Sequence, residues 1–202
     1  MPTYPLIVSF FTDDWEYPAY AEKLIRSCDQ LNLDHRICEL PSSNSWLGNC
    51  CKKPFFIRDI LTEERRPILW IDVDGSLYQR PEWFVGLENL DFAAKRKSAK
   101  KNPRGDRPFY VSTLYFGYTP QSLAFVDLWC DATGDCSDES SLNELWLAGA
   151  GKDLRWADLP DEYFEVAMGG WKLTPKTVIA HRWSQGDSKK REMAELRKRR
   201  GY

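Results

Sequence analysis

The stretch Pro67-Ile68-Leu69-Trp70-Ile71-Asp72-Val73-Asp74-Gly75-Ser76 decides how the rest of the chain is read. Four consecutive apolar residues without polar alternation are the pattern of a strand buried on both faces of a sheet. Pro67 restarts the chain just before it, and two carboxylates follow at its C-terminal end. In open α/β sheets ligands collect at that end of the strands. Side chains two apart on a strand point to the same face, so Asp72 and Asp74 are expected to aim both carboxylates at one point. A chain this rich in Asp shows an Asp-x-Asp by chance, and the plain alternative is a pair of solvated loop acids. Position is what singles this pair out, together with a Gly at 75 that permits close approach of a ligand.

Outward from this strand the same logic organises most of the chain. Leu6-Ile-Val-Ser-Phe-Phe11 is a second continuous apolar run, ended by Thr12-Asp13-Asp14. Tyr20, Leu24, Ile25, Cys28 and Leu31 recur at helical spacing, so a helix is expected over 18–31. Residues 35–40 read as a strand stopped by Pro41, and the polar, Asn-rich 42–51 as a loop. Pro54 suits the first turn of a helix running to about Glu64. This strand–helix–strand–helix–strand order predicts an α/β fold with a mostly parallel central sheet flanked by helices. Further on, 109–114 and 177–180 have strand character, and helices are expected from Thr119-Pro120 to Trp129 and over 140–148. Residues 95–107 are basic, carry Pro103 and Gly105, and read as a mobile loop. No internal linker divides the chain, so a single domain is expected over 1–188, followed by a basic tail at 189–202.

Composition narrows the class. With 202 residues, 43% of them hydrophobic, and nine Trp, the chain can bury one substantial core, and disorder is excluded for most of its length. The net charge of −2 hides an uneven distribution, with basic clusters at 95–107 and 189–200 and an acidic stretch at 127–144. The N-terminus reads as a strand rather than a signal peptide, and no segment approaches the roughly 18–20 apolar residues that span a bilayer. A cytoplasmic protein without a membrane anchor is therefore expected. Six Cys without a CxxC pair fit reduced thiols better than a zinc site.

Two hard oxygen ligands with room for water and phosphate suit Mg²⁺ or Mn²⁺, not zinc. Such an ion would neutralise a diphosphate leaving group as a Lewis acid. Asp72-Val-Asp-Gly-Ser-Leu77 also resembles the first motif of haloacid-dehalogenase-like phosphatases, where the first Asp is a nucleophile and the second a general acid/base. That family carries the motif on its first strand, whereas here two strands and two helices precede it. It also needs a later acidic pair behind an apolar strand, and the acids at 135–139 follow Gly134 instead. Ser112 imitates its second motif.

Taken in order, several segments resemble the nucleotide-diphospho-sugar transferases of the GT-A fold, over residues 6 to about 188. They are Ser9-Phe-Phe-Thr12, then Trp46 with Asn49 and Lys53-Pro54-Phe55-Phe56-Ile57, then Leu69-Trp-Ile-Asp-Val-Asp74 with Pro81. Ser112-Thr-Leu-Tyr-Phe116, Trp129, Asp138-Glu-Ser-Ser-Leu142 and Val178-Ile-Ala-His181 follow. The resemblance implies a metal-dependent glycosyltransferase that uses a UDP-sugar and Mn²⁺ or Mg²⁺. It implies that Thr12 and Asp13, with Trp46, Asn49, Lys53 and Asp72, lie on the donor side, and that Asp72, Asp74 and His181 hold the metal. Asp138 or Glu139 would take the acceptor proton; Glu139 stands where the family often has Gln, which leaves the choice open. Asp138 also reads as a helix cap or first-turn acid, Lys53 as a surface charge at a helix start, and Trp46 and Trp129 as packing residues.

The compact form is similar to phage-encoded members. Lys95, Arg96, Lys97, Lys100, Lys101 and Arg104 are expected to flank the acceptor side, where a basic run suits a phosphate backbone. From this, DNA carrying a hydroxymethylated pyrimidine is an expected acceptor, its base flipped out to react. A glycan or lipid-linked sugar is the other acceptor reading. A domain that binds nucleotide or nucleic acid without chemistry is the non-enzymatic one.

Overall fold

The computed structural model describes residues 3–14, 16–87, 89–134, 136–166 and 173–182. The two continuous apolar runs become β1 (Leu6–Phe11) and β3 (Ile68–Ile71), which lie side by side and parallel. Between them come α1 (Tyr17–Gln30), β2 (His35–Glu39), α2 (Trp46–Cys50) and α3 (Lys52–Glu64). After β3 the chain forms β4 (Gly75–Leu77), β5 (Phe92–Arg96), β6 (Phe109–Phe116), α4 (Pro120–Asp131) and α5 (Asp138–Leu147). β7 (Trp156–Asp158), β8 (Glu165–Val166) and β9 (Ile179–His181) complete the strands.

The main sheet has the order β2-β1-β3-β6-β5-β7. β6 runs against both of its neighbours while every other pair is parallel, so the sheet is mostly parallel with one reversed strand. Reversal brings the start of β6 to the edge where β1, β3 and β5 end. A second sheet, β4-β9-β8, grows from that edge.

Alternation explains why the central strands are apolar throughout. Leu6 and Val8, Ile68 and Trp70, and Phe92 and Ala94 face α3, α4 and α5, where they meet Ile57, Leu61, Phe125, Trp129 and Leu142. Ile7, Leu69, Ile71, Ala93 and Tyr115 face the other way, against Leu24 and Cys28 of α1 and Leu77 and Ile179 of the small sheet. Both faces are buried, so neither set can be polar. Trp129 is core, packed on Phe116 with its indole N–H on Ser141 Oγ at 3.0 Å.

Two expectations are corrected. Residues 42–51 are not all loop: Ser45 accepts a hydrogen bond from Gly48 N at 3.1 Å and caps α2. The basic run begins as strand, with Lys95 and Arg96 on β5. β5 is held by pairing to β6 and β7 rather than by intrinsic preference, since Ala93-Ala94 has little. Its entrance is anchored by Asp91, fully buried. That carboxylate accepts from Arg155 N at 2.7 Å, Nε at 3.1 Å and Nη2 at 3.0 Å, and from Thr119 Oγ1 at 2.6 Å. Burial alone would raise its pKa, but these donors outweigh it and hold it below the usual carboxylate range. The tail expected at 189–202, and the boundary before it, lie outside the described residues. Among the described residues no helix is long and apolar enough to cross a membrane.

Candidate active site

β3 ends at Ile71, and a tight turn follows in which Gly75 N donates to Asp72 O at 2.7 Å. The period of two therefore stops before the second carboxylate, and the two aspartates part company. Asp72 continues the face of Ile68 and Trp70, toward α3. Its Oδ1 accepts from Lys53 Nζ at 2.7 Å and from Trp70 Nε1 at 2.8 Å. Lys53 is buried, 5% exposed, and is not a surface charge. Its ammonium also pairs with Asp138 Oδ2, donates to Val111 O at 3.3 Å, and lies 5.1 Å over the Trp70 ring. All three of its N–H donors are thereby engaged. Burial works against the charge, but the flanking carboxylates outweigh burial and raise the Lys53 pKa. Burial likewise opposes ionisation of Asp72, and the same ammonium overrides it, holding that carboxyl below its usual range.

Asp74, round the turn, faces β9 instead. β4 and β9 pair antiparallel with Gly75 opposite His181, and Arg182 N donates to Asp74 O at 3.0 Å. His181 is fully buried; its Nδ1 lies 3.4 Å from Asp74 Oδ1 and its Nε2 2.7 Å from Thr113 Oγ1. Phe164 packs beside the ring at 5.3 Å. A Cβ at Gly75 would stand 2.5 Å from Ile71 Cγ2 and 3.1 Å from His181 Cε1. The glycine thus serves the close packing of the chain's own residues. Asp72 and His181 are near enough to interact electrostatically. Among the described residues no three His, Cys, Asp or Glu side chains form a ready-made metal cluster; Asp74 and His181 form a pair.

At the end of β1, Thr12 is buried and Asp13 exposed. The neighbour Asp14 is the integrated acid, accepting from Ser42 Oγ and, at 3.3 Å, from Asn49 Nδ2. The Ser42 bond leads in holding its carboxyl below the usual range. Asn49 Oδ1 in turn accepts from Ser43 N at 2.8 Å, and Trp46 opens the same short helix, half-buried. Sequence reasoning missed Asp14 because an Asp-Asp doublet beyond the strand end carries no period by which to choose.

On the other flank Ser137 caps α5 and Asp138 is its first residue. Asp138 is buried on Lys53, whereas Glu139 is partly exposed and pairs with Lys97 Nζ at 2.8 Å. Lys97 sits 5.0 Å over the Tyr110 ring, and Tyr110 stacks on Phe164 at 4.4 Å. The basic run does not form one open patch. Lys95 pairs with Asp161, Arg96 with Asp158 at 3.3 Å, and Lys97 with Glu139. Lys100, Lys101 and Arg104 are exposed in the connection from β5 to β6.

A mostly parallel sheet with one reversed strand, flanked by helices and with a carboxylate-bearing turn where β3 ends, is consistent with a single GT-A-like domain. Among solved structures, a glycosyltransferase involved in the glycosylation of the major capsid of PBCV-1 matches with a TM-score of 0.65. The match is at 12% identity, over 95% of this chain and 98% of that one. The apo structure of the bifunctional glycosyltransferase WbbM matches with a TM-score of 0.58 at 14% identity. That match takes in 92% of this chain but only 46% of WbbM. At such identities the likeness is one of fold. No family profile and no curated protein sequence matches the chain.

Proposed function

We propose that this protein is a metal-dependent glycosyltransferase that moves a sugar from a nucleotide-diphosphate donor, a UDP-sugar, to a hydroxyl on a carbohydrate acceptor. The observation that carries the proposal is the pairing of Asp74 with His181 in a glycosyltransferase-like fold, at the sheet edge where ligands collect. The donor set of two carboxylates and one imidazole suits Mn²⁺ or Mg²⁺, and the separation of 3.4 Å between His181 Nδ1 and Asp74 Oδ1 leaves them as neighbours rather than a tight hydrogen bond. Asp74 and His181, with Asp72, would hold the ion, which when bound offsets charge on the departing diphosphate. That the neighbouring folds catalyse glycosyl transfer supports the same reading.

The chain's own residues have distinct tasks in it. Thr12 and Asn49, organised around Asp14, form the nucleoside side at the end of β1, with Trp46 on the same short helix as Asn49. Lys53, with its donors engaged, does not reach the phosphates; it holds the Asp72 and Asp138 carboxylates in fixed orientations about one buried ammonium. Glu139 is the carboxylate that accepts the acceptor's proton, being 29% exposed against 7% for Asp138. A DNA acceptor is the weaker reading, because three of its six expected cations are paired with acids.

The test is release of UDP from a panel of UDP-sugars with Mn²⁺, with and without oligosaccharides or hydroxymethylcytosine DNA, for the wild type and Asp74→Ala. Metal-dependent release that Asp74→Ala abolishes and a saccharide stimulates is the expected result. Stimulation by the DNA alone would reassign the acceptor. A wild type that releases no UDP with any sugar and metal would overturn the enzyme reading.

A further inference from the structure

Glu139, the carboxylate assigned to the acceptor's proton, is held at two levels. Its backbone is set by Asn143, one turn further along α5 and fully buried. The Asn143 amide spans Phe109, the first residue of β6, accepting from Phe109 N at 2.8 Å and donating to Phe109 O at 3.0 Å. It also donates to Glu139 O at 2.7 Å. The first turn of α5 is thereby tied to the start of β6.

A fixed helix backbone does not fix a glutamate side chain, which keeps several rotatable bonds. Lys97 supplies what is missing: its Nζ donates to Glu139 Oε1 at 2.8 Å. The lysine side chain is only 8% exposed and is itself held in place. Its backbone N donates to Pro108 O at 2.7 Å, and its ammonium lies 5.0 Å over the Tyr110 ring, where the ring's negative face attracts it. Tyr110 in turn stacks on Phe164, which packs beside His181. The phenol senses the carboxylate as well: burial first, and the Glu139 charge second, raise the Tyr110 pKa. Glu139 Oε1 is therefore engaged. Among the described residues Oε2 has no hydrogen-bond partner, and its lone pairs can take a proton.

We propose that Lys97 is a positioning residue for the transfer: its ammonium, seated over Tyr110, pins Oε1 of Glu139 and so presents Oε2 to the acceptor hydroxyl. In that transfer the acceptor oxygen bonds to the anomeric carbon as the bond from that carbon to the diphosphate oxygen breaks. The hydroxyl proton passes to Oε2, and the electron pair leaves with the diphosphate. The inference rests on the reading of Glu139 as the proton acceptor and adds the side chain that aims it.

Four chains test it: the wild type, Lys97→Met, Glu139→Gln and the double variant, assayed for UDP release with the same UDP-sugars, Mn²⁺ and oligosaccharides. Lys97→Met is expected to lower kcat up to about 100-fold with KM for the donor unchanged, the loss that a misplacement of about 1 Å brings. In the Glu139→Gln background the same change should cause no further loss, because residues that act as a unit are not additive. Tyr110→Leu, which removes the ring beneath the ammonium, should lose more kcat than Tyr110→Phe, which keeps it. A lysine with a merely structural role would cost the same in both backgrounds; that result overturns the inference, as does an unchanged kcat in Lys97→Met. Urea unfolding of the same four chains checks the pair without substrate: non-additive shifts of the midpoint are expected, and additive ones overturn the inference. A Glu139→Gln variant as active as the wild type, or a wild type that releases no UDP, overturns the reading of Glu139 beneath it. Non-additive midpoints would then leave the Lys97–Glu139 pair standing as a structural one.

Discussion

Replacing Lys53 by Met removes the ammonium that Asp72 and Asp138 share, and the structure sets the size of the effect. At 2.7 Å from Asp72 Oδ1, the attraction at an effective dielectric of about 20 is about 6 kcal/mol before desolvation is counted. Desolvation offsets much of that, and breaking a buried pair by removing one partner costs about 3–5 kcal/mol. The two acids do not share the loss equally. Asp72 is 31% exposed and keeps the Trp70 N–H, whereas Asp138 is 7% exposed and becomes the costly orphan. Lys53→Met is therefore expected to destabilise the fold by about 3–5 kcal/mol, and adding Asp138→Asn should recover about 1–3 kcal/mol of it. Urea unfolding at neutral pH, followed by circular dichroism and Trp fluorescence, measures both, and the single variant should melt about 6–20 °C lower. The reasoning is refuted if Lys53→Met lies within about 1 kcal/mol of the wild type, or if the double variant equals the sum of the singles. Either result would mean that the ammonium is solvated and that Lys53 does not orient the carboxylates.

Asp91 predicts the acid limb of stability. Its folded pKa is depressed below the unfolded value of about 3.9, so its contribution is fully present above that pH and is lost as pH falls through the folded value. Asp91→Asn should cost about 2–4 kcal/mol at pH 7, and the gap to the wild type should close in strong acid; urea midpoints against pH check this, and a gap independent of pH contradicts it. Gly75→Ala should cost about 1–3 kcal/mol through contact with Ile71 Cγ2. Ile71→Leu in the same chain lacks that methyl and should return part of the loss in a thermal melt; no rescue would show that the backbone of Asp72, not Ile71, is the obstacle.

β1 and β3 were legible from their unbroken apolar runs, because a strand covered on both faces needs no polar alternation, helix α1 from the spacing of its apolar residues, and α3 and α4 from the start signals at Pro54 and Thr119-Pro120. Their boundaries shifted by a residue or two, since the chain ends of an element are set by whatever it meets. β5 was not legible: Phe92-Ala-Ala-Lys-Arg96 has no strong preference of its own and becomes strand by sitting between β6 and β7. The members of the candidate site could be named from sequence, but their arrangement could not. Asp72 and Asp74 look equivalent two residues apart, yet the end of β3 sends one to Lys53 and the other to His181, 107 residues away in the chain. Likewise the basic run reads as one patch until Asp158, Asp161 and Glu139 fold back to pair with three of its members. Apolar burial is a property each residue carries into any fold, so local sequence determines it. Charge pairing depends on distances of a few ångströms between segments remote in sequence, and only the packed sheet decides those.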